Sequence, residues 1–495
     1  MKSPMVRRAR ASDVLPLLHV LGMIIAVFGL SMLLPLAFSE ITRDGAEHAY
    51  DEAVLITLSC GVLMWLAGRR WKRELKARDG ILLVVLTWLL TPLFAALPLL
   101  IYLPRLSFTD AYFEAMSGLT TTGATVLSGL DKLPDSINLW RGELHWLGGL
   151  GVIVLVVAVL PMLGVGGRQM FKAETPGRMK DDKLTPRMAE TAKGLWQVYV
   201  LLTLVCIALY RAFGMTFADA MMHAFSVMGL GGFSSHDASF GYFKSLPLEI
   251  ITEIFAVIAG LNFAMHFIAL RGRTLSPYRT DPEIRWYFGY LLGSCLGLGL
   301  LLWAQGVYLD FPSALRDATF SVVSMATTMG LTTADFGIWP TYMGLWLLFL
   351  CSFTTSAGST GGGIKMLRAV LLYKQVYREL LRVIHPHAQV TIRLGEQVVP
   401  DKVIYAVLVF FFVYVASIVS LSFLLSFFGL DVLTAFSAIV ACINNSGPGL
   451  GQVGPAATYA VLTDFQIWVC TFAMLLGRLE LFTLLVVLTP AFWRK

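Results

Sequence analysis

The chain has 495 residues, 57% of them hydrophobic and only 14% charged, where a soluble domain carries roughly 25% charged residues. That balance excludes a soluble fold and favours one large intramembrane body over the several domains that length alone would suggest at ~150 residues each. The net charge is +6, from 38 Lys+Arg against 32 Asp+Glu, and its meaning depends on where the basic residues fall.

Ten apolar segments follow in chain order: 14–38, 53–68, 80–104, 144–167, 195–213, 247–270, 286–309, 341–370, 403–428 and 465–493. Most approach the roughly 20 residues needed to span a bilayer. The first follows Lys2, Arg7, Arg8 and Arg10, as a secretory signal would. It is too long for a signal core and no A-x-A site follows it, so it reads as a retained helix. Basic residues then recur in alternate connections: six in 69–79, seven in 165–193, four in 271–285, seven in 365–402, and Arg494 with Lys495 at the end. With the N-terminal tail these hold 30 of the 38. The opposite connections hold only Arg43, Arg105, Lys132, Arg141, Arg211, Lys244 and Arg316, and Arg478 lies inside the last segment. The positive-inside rule therefore expects both termini in the cytoplasm, consistent with an even number of crossings. The basic charge is a topology signal and implies no nucleic-acid partner. Cys60, Cys206, Cys295, Cys351, Cys442 and Cys470 lie in or beside apolar segments without C-x-x-C spacing, which indicates neither a disulfide framework nor a zinc site.

The connections on the outer side carry a fourfold repeat. Phe108-Thr-Asp110-Ala111 leads through Ala115 and Ser117 to Thr120-Thr121-Thr122-Gly123-Ala124-Thr125, and Phe217-Ala-Asp219-Ala220 leads through Ala224 and Ser226 to Gly231-Gly232-Phe233-Ser234. In both, Asp precedes the glycine by 13 positions. The same offset from Gly330 reaches Asp317-Ala318, and from Gly447 it reaches Thr434-Ala435, the most divergent copy. Internal symmetry of this kind builds membrane transport pathways.

Each copy reads as a half-helix and a glycine loop between two spans. Eleven residues such as 110–120 extend ~16 Å, about half of a ~30 Å hydrocarbon core. Asp110, Asp219 and Asp317 fit the half-helix N-terminus, where a carboxylate accepts orphan N–H groups. The partly negative C-terminal end then points to mid-membrane, where a cation is favoured. The glycine permits φ > 0 and turns successive carbonyls to one side, and such backbone survives at membrane depth only where protein shields it or water lines it. Four loops around a pseudo-fourfold axis would make carbonyl rings that replace the hydration shell of a monovalent cation. Simple small-residue helix packing does not account for four loops in one register.

Together the strings Thr-Thr-Thr-Gly-Ala-Thr (120–125), Gly-Gly-Phe-Ser (231–234), Asn-Asn-Ser-Gly-Pro-Gly-Leu-Gly (444–451) and Gly-Ser-Thr-Gly-Gly-Gly-Ile-Lys (358–365) resemble the Trk/Ktr/HKT potassium transport superfamily, and within it the bacterial TrkH-type subunit. The resemblance covers essentially the whole chain. It implies an all-α membrane fold, like that of potassium channels, with a two-helix extension (1–79) and four M1–pore helix–M2 repeats at 80–194, 195–285, 286–402 and 403–495, the third with a broken M2 helix. It implies a homodimer in the bacterial inner membrane, one pore per protomer, and a cytoplasmic TrkA-type RCK partner that binds NAD(H) or ATP. Filter carbonyls carry over to Thr121, Thr122 and Gly123; Leu230, Gly231 and Gly232; Thr328, Met329 and Gly330; Asn445, Ser446 and Gly447. In plant relatives a serine at the first filter glycine goes with sodium preference, so Gly123 favours potassium. Gly229-Leu230 and Met329 depart from the family pattern.

The eighth segment is interrupted by Thr354–Gly363, with four glycines between 358 and 363. Each costs a helix about 1 kcal/mol relative to alanine, so a break inside the membrane is expected. The resemblance makes Gly358, Ser359, Thr360, Gly361, Gly362 and Gly363 a loop that obstructs the pore below the filter, beside Lys365 and Arg368. A phosphate-binding P-loop fails on spacing, because Ile364 separates Gly363 from Lys365 and Met366 follows. Arg478 is costly at mid-membrane and reads either as a structural group, paired with Glu480 or packed on a carbonyl, or, as the resemblance implies, as a positive barrier beneath the filter. Glu114, Glu143 and His145 read as pore-helix packing and mouth residues, His223 and His266 as satisfied polar groups. No catalytic pair, metal cluster or cofactor motif is found, so the chain reads as a transporter whose only bound species is the K+ it carries. The competing transport readings are an H+- or Na+-coupled symporter, for which Glu253 and Glu480 are the available carboxylates, and a less selective monovalent cation transporter.

Overall fold

Hydrocarbon offers no partner for a peptide N–H, so apolar segments of this length satisfy their backbones internally, as helices. A computed structural model of the chain describes residues 11–71, 75–158, 184–395 and 397–494. Among them the chain is almost entirely helical, with one two-stranded antiparallel hairpin, Arg393–Leu394 against Gln397–Val398. Lys2, Arg7, Arg8 and Arg10, most of the basic stretch at 165–193, and Lys495 lie outside the described residues. The protein is an all-α, multi-pass membrane protein.

Six helices among the described residues are long and apolar enough to cross a bilayer unbroken: Leu15–Thr42, Glu47–Trp71, Arg78–Tyr102, Ala192–Ala212, Pro282–Ala304 and Asp401–Phe427. The expected ten are therefore not ten straight spans. The segment at 247–270 is two helices, Leu246–Ala259 and Phe263–Gly272, meeting at 95°, and that at 465–493 bends by 116° between Asp464–Arg478 and Phe482–Leu488. The eighth stops at Phe353 and resumes at Met366. The fourth belongs to the helix Asp135–Ala158 and then leaves the described residues.

Four short helices lie among these: Phe108–Leu119, Phe217–Gly229, Phe311–Ala326 and Val432–Ile443. Each starts from a reciprocal cap. Ser107 and Thr216 accept the N–H of Asp110 and Asp219 and donate their hydroxyls to the same residues' carboxylates at 2.8 and 2.7 Å. In the other two the residue types exchange places, with Asp310 accepting the N–H of Ser313 at 2.8 Å and Asp431 that of Thr434 at 3.0 Å. The expectation for Asp317 fails here. The third short helix starts one turn earlier than the others, so Asp310 is the cap and Asp317 stands two turns inside.

Packing closes the four units into a cycle. Each short helix lies against the long helix that precedes it in sequence, 77–95, 184–212, 282–304 or 401–427. The helix that follows each short helix packs on the next short helix: 135–158 on 217–229, 246–259 on 311–326, 341–353 on 432–443, and 464–478 back on 108–119. The last contact returns the chain to its first unit.

The N-terminal helices Ala11–Ser31 and Glu47–Gly68 pack on each other through small residues. A Cβ at Gly22 would sit 2.6 Å from the Gly61 carbonyl oxygen, and one at Gly61 would sit 2.9 Å from that of Gly22, so the two backbones touch. Overpacking of such a contact costs about 1–3 kcal/mol. Gly61→Val is accordingly expected to lower the melting temperature of the detergent-purified protein, whereas Gly80→Val, whose Cβ position meets nothing within 4 Å, should leave it nearly unchanged.

Candidate functional site

The four short helices end in one conformation. The helix stops, a residue adopts positive φ (Thr121 52°, Leu230 54°, Thr328 61°, Asn445 52°), and two positions later a glycine does so again (Gly123 80°, Gly232 88°, Gly330 81°, Gly447 84°). The residue between them donates its N–H five residues back into the helix end, Thr122 to Ser117, Gly231 to Ser226, Met329 to Ser324 and Ser446 to Ala441, at 2.8–2.9 Å. This is a Schellman-type closure. A non-glycine residue in the left-handed region costs roughly 1–2 kcal/mol, and it is borne four times at one place.

The reason lies across the loops. A Cβ added at Gly123 would strike the carbonyl oxygen of Gly231, and one at Gly232 that of Met329. At Gly330 it would lie 2.5 Å from the Ser446 oxygen, and at Gly447 2.8 Å from the Thr122 oxygen. The four loops thus abut in chain order, the fourth on the first, with one carbonyl of each beside the glycine of its neighbour. Asn445 fastens the last junction, donating to the Thr122 hydroxyl at 3.0 Å and the Met474 carbonyl at 3.1 Å. All twelve residues expected at the filter belong to these loops, and the carbonyl oxygens of Thr122, Gly231, Met329 and Ser446 lie nearest the Cβ positions of the neighbouring glycines.

Directly below lies Gly358–Gly363. The Gly362 N–H donates to the Thr328 hydroxyl at 3.0 Å, and the Thr360 hydroxyl donates to the Met228 carbonyl at 3.1 Å. A Cβ at Gly361 would lie 2.9 Å from the Thr327 oxygen, and one at Gly362 would strike that of Asn444. The stretch therefore runs beneath the C-terminal ends of the second, third and fourth short helices. Arg478 reaches in from the remaining side, donating to the Thr360 carbonyl at 3.1 Å and to the Gly148 carbonyl, on the helix after the first short helix, at 2.7 Å. Lys365 Nζ contacts the Gly361 carbonyl and the Ser359 hydroxyl.

Four short helices thus end at four abutting glycine loops, and a buried glycine stretch lies against three of those ends. The model of the TrkH family, described as cation transport protein, matches residues 48–495. The chain belongs to the TrkH family. It is 45% identical over 481 residues to the Trk system potassium uptake protein TrkH of Halomonas elongata, covering 97% of this chain and 99% of that one. It is 44% identical over 479 residues to its Escherichia coli K12 namesake, covering 96% and 99%. The crystal structure of the potassium transporter TrkH from Vibrio parahaemolyticus aligns with a TM-score of 0.90 at 43% identity, over 97% of this chain and all of that one.

In this TrkH-family chain the residues around the ring differ in part from the sequence reading. Glu480 is the partner of Arg368 at 2.6 Å, so the pairing of Glu480 with Arg478 fails, and of the two structural alternatives for the arginine the carbonyl contact is the one observed. Arg478 also ends its helix at the bend, where Glu480 and Leu481 take φ of 51° and 55°. His223 bonds the Ser234 hydroxyl at 3.0 Å and the Asp219 carbonyl at 2.8 Å, and His266 bonds the Tyr278 hydroxyl at 2.6 Å and the Ile258 carbonyl at 2.9 Å, as satisfied polar groups do. The bend at Gly260–Asn262 was missed. Ser356 donates to the Gly260 carbonyl at 3.0 Å and Phe263 to the Gly358 carbonyl at 3.2 Å, which ties the bend to the glycine stretch. The signal was present as a helix-stopping Gly260 followed by Asn262, which caps the next helix.

On the outer surface His236 clamps two units. Its Nδ1 lies 2.5 Å from Asp131 and its Nε2 3.3 Å from Asp219, while its ring stacks on Tyr242 at 3.5 Å. Burial opposes the imidazolium, but hydrogen bonds and charge from Asp219 and Asp131 outweigh it and raise the His236 pKa. A raised cationic pKa contributes stability that is complete below about pH 6.5 and is lost as pH rises through the folded value. Melting temperature is thus expected to fall on the alkaline side. His236→Gln should flatten that slope and lower the melting temperature at pH 6, and an unchanged slope would count against the clamp.

Proposed function

We propose that the chain is the potassium-translocating subunit of a Trk uptake system in the bacterial inner membrane. The observation that carries this reading is the closed ring of four glycine loops at the ends of four short helices, in a family member 44–46% identical to several proteins named for potassium uptake. Carbonyl oxygens of Thr121, Thr122, Gly123, Leu230, Gly231, Gly232, Thr328, Met329, Gly330, Asn445, Ser446 and Gly447 replace water around a dehydrated K+, and the negative helix ends lower the cost of holding it mid-membrane. Stacked sites let one ion displace the next.

Gly358–Gly363 and Arg478 form the gate. The stretch has no helical hydrogen-bond ladder and is held by discrete contacts to Thr328, Met228, Phe263, Lys365 and Arg478, so its movement requires those contacts to break together. Arg478 adds a positive charge beneath the ring, repelling cations until its carbonyl contacts part. A TrkA-type RCK partner that binds NAD(H) or ATP acts on the basic cytoplasmic segments, on a homodimer with both termini in the cytoplasm. The units are an extension at 1–79 and repeats at 80–194, 195–285, 286–402 and 403–495. Ion-coupled symport has less support, because the Glu480 carboxylate is engaged by Arg368.

Expression in potassium-uptake-deficient cells should restore growth at low external potassium. Gly123→Ser places a side chain against the Gly231 carbonyl, and a 1–3 kcal/mol overpacking cost predicts a loss of potassium over sodium preference of about tenfold. An unaltered preference in that variant would sink the filter assignment. Deletion of Gly361–Gly363, and separately Arg478→Ala, should raise partner-independent cation flux in liposomes several-fold. Unchanged flux from both folded variants would refute the gate.

A further inference from the structure

Beside the ring, on the first and second units alone, lies an ion pair that the transport reading leaves without a role. Glu114 and Arg141 are completely buried. Arg141 directs Nε and Nη2 to one carboxylate oxygen of Glu114, both at 2.9 Å. The pair does not simply neutralise itself. Glu114 also accepts the Val126 N–H at 3.1 Å and the Thr125 hydroxyl at 2.9 Å, on the strand that leaves Gly123. Arg141 also donates to the Ser234 carbonyl at 2.9 Å and to Asn138 at 3.3 Å, and its guanidinium lies 4.3 Å over the Phe233 ring, on the strand that leaves Gly232. One ion pair thus holds the outer strands of two adjacent loops.

The four units differ at this position. Counting nine residues back from the ring glycine gives Glu114, His223, Ser321 and Ala438, and two residues on gives Thr125, Ser234, Thr332 and Gly449. Glu114 bonds Thr125, and His223 bonds Ser234 at 3.0 Å. In the third unit Ser321 has no such hydrogen bond, and in the fourth the hydroxyl of Ser437, one residue earlier, takes over by accepting the Leu450 N–H at 2.9 Å. The ionic brace is therefore confined to one side of a ring whose ion contacts are backbone atoms. Backbone atoms have no identity to select by, so selectivity depends on how firmly their spacing is held.

We propose that Arg141 and Glu114 are positioning residues that fix the distance between the first and second filter strands and so set the preference among monovalent cations. They do this without touching the ion, and the proposal rests on the filter reading above. A buried guanidinium and carboxylate with every strong hydrogen-bonding direction used resist displacement more than a hydroxyl pair does.

The test is the ratio of potassium to sodium flux through the full-length protein in liposomes, because loss of folded protein alone leaves a ratio unchanged. Arg141→Gln and Glu114→Gln should each lower it about fivefold or more, the lower end of coupling between sites, and Arg141→Lys should restore part of it. Should the charge variants fail to reach the membrane, Thr125→Val carries the test, since it deletes one arm while keeping the pair, and a smaller fall in the ratio is expected. Ratios equal to wild type in the folded variants would overturn the proposal. Gly123→Ser measured alongside separates the two claims. If it changes the ratio and the pair variants do not, only the brace falls; if it too leaves the ratio intact, the filter reading falls.

Discussion

Four backbone strands meet at one place in this protein more closely than any side chain allows. Gly123, Gly232, Gly330 and Gly447 each turn a bare Cα toward the carbonyl of the next strand, and each has a positive φ that side-chain-bearing residues rarely adopt. The helix geometry serves this contact. Each short helix ends in the same Schellman-type closure, and each following helix packs on the next short helix until the fourth reaches the first. Left-handed Thr121, Leu230, Thr328 and Asn445 are the cost, at roughly 1–2 kcal/mol each, offset by the N–H bonds that pin the neighbouring residue.

The same device recurs one layer out. A side chain at Gly148 would strike the Leu119 carbonyl, one at Gly477 that of Ile443, and one at Gly362 that of Asn444. Helix ends are thus packed against glycine on their lower side as well, and the glycine stretch can lie flush beneath them. Arg478, two carbonyls of different units and the ends of four helices then share one small volume. Below the ring, Thr360 and Arg478 link the stretch to the neighbouring units, and these are the contacts that the proposed gate breaks. Above it, the Glu114–Arg141 pair and His236 join the outer strands of the first two units.

Much of this was legible in the sequence because glycine has few substitutes at positive φ or in backbone contact. The 13-residue offset that registers Gly123, Gly232, Gly330 and Gly447 reflects a fixed half-helix length, and the interruption before Lys365 follows from helix propensity. Offsets say less where helix length varies. Asp317 keeps the spacing but loses the cap to Asp310, because the third short helix has an extra turn. Pairings distant in sequence were not legible at all. Glu480 is two residues from Arg478 yet pairs with Arg368, 112 positions away, because a sharp bend turns the two side chains apart. Arg141 reads as one more outer-loop charge until folding buries it against Glu114 and Ser234.

The proposed occupancy of the ring by a dehydrated ion is tested most directly by ion density. Crystals or frozen particles of the purified protein in rubidium or thallium would be examined for heavy-ion density on the axis of the four loops. Density coordinated by the carbonyl oxygens of Thr122, Gly231, Met329 and Ser446, and displaced by excess potassium but not by sodium, is the expected result. An empty axis at saturating ion, or ion density only at side-chain carboxylates elsewhere in the membrane, would contradict it.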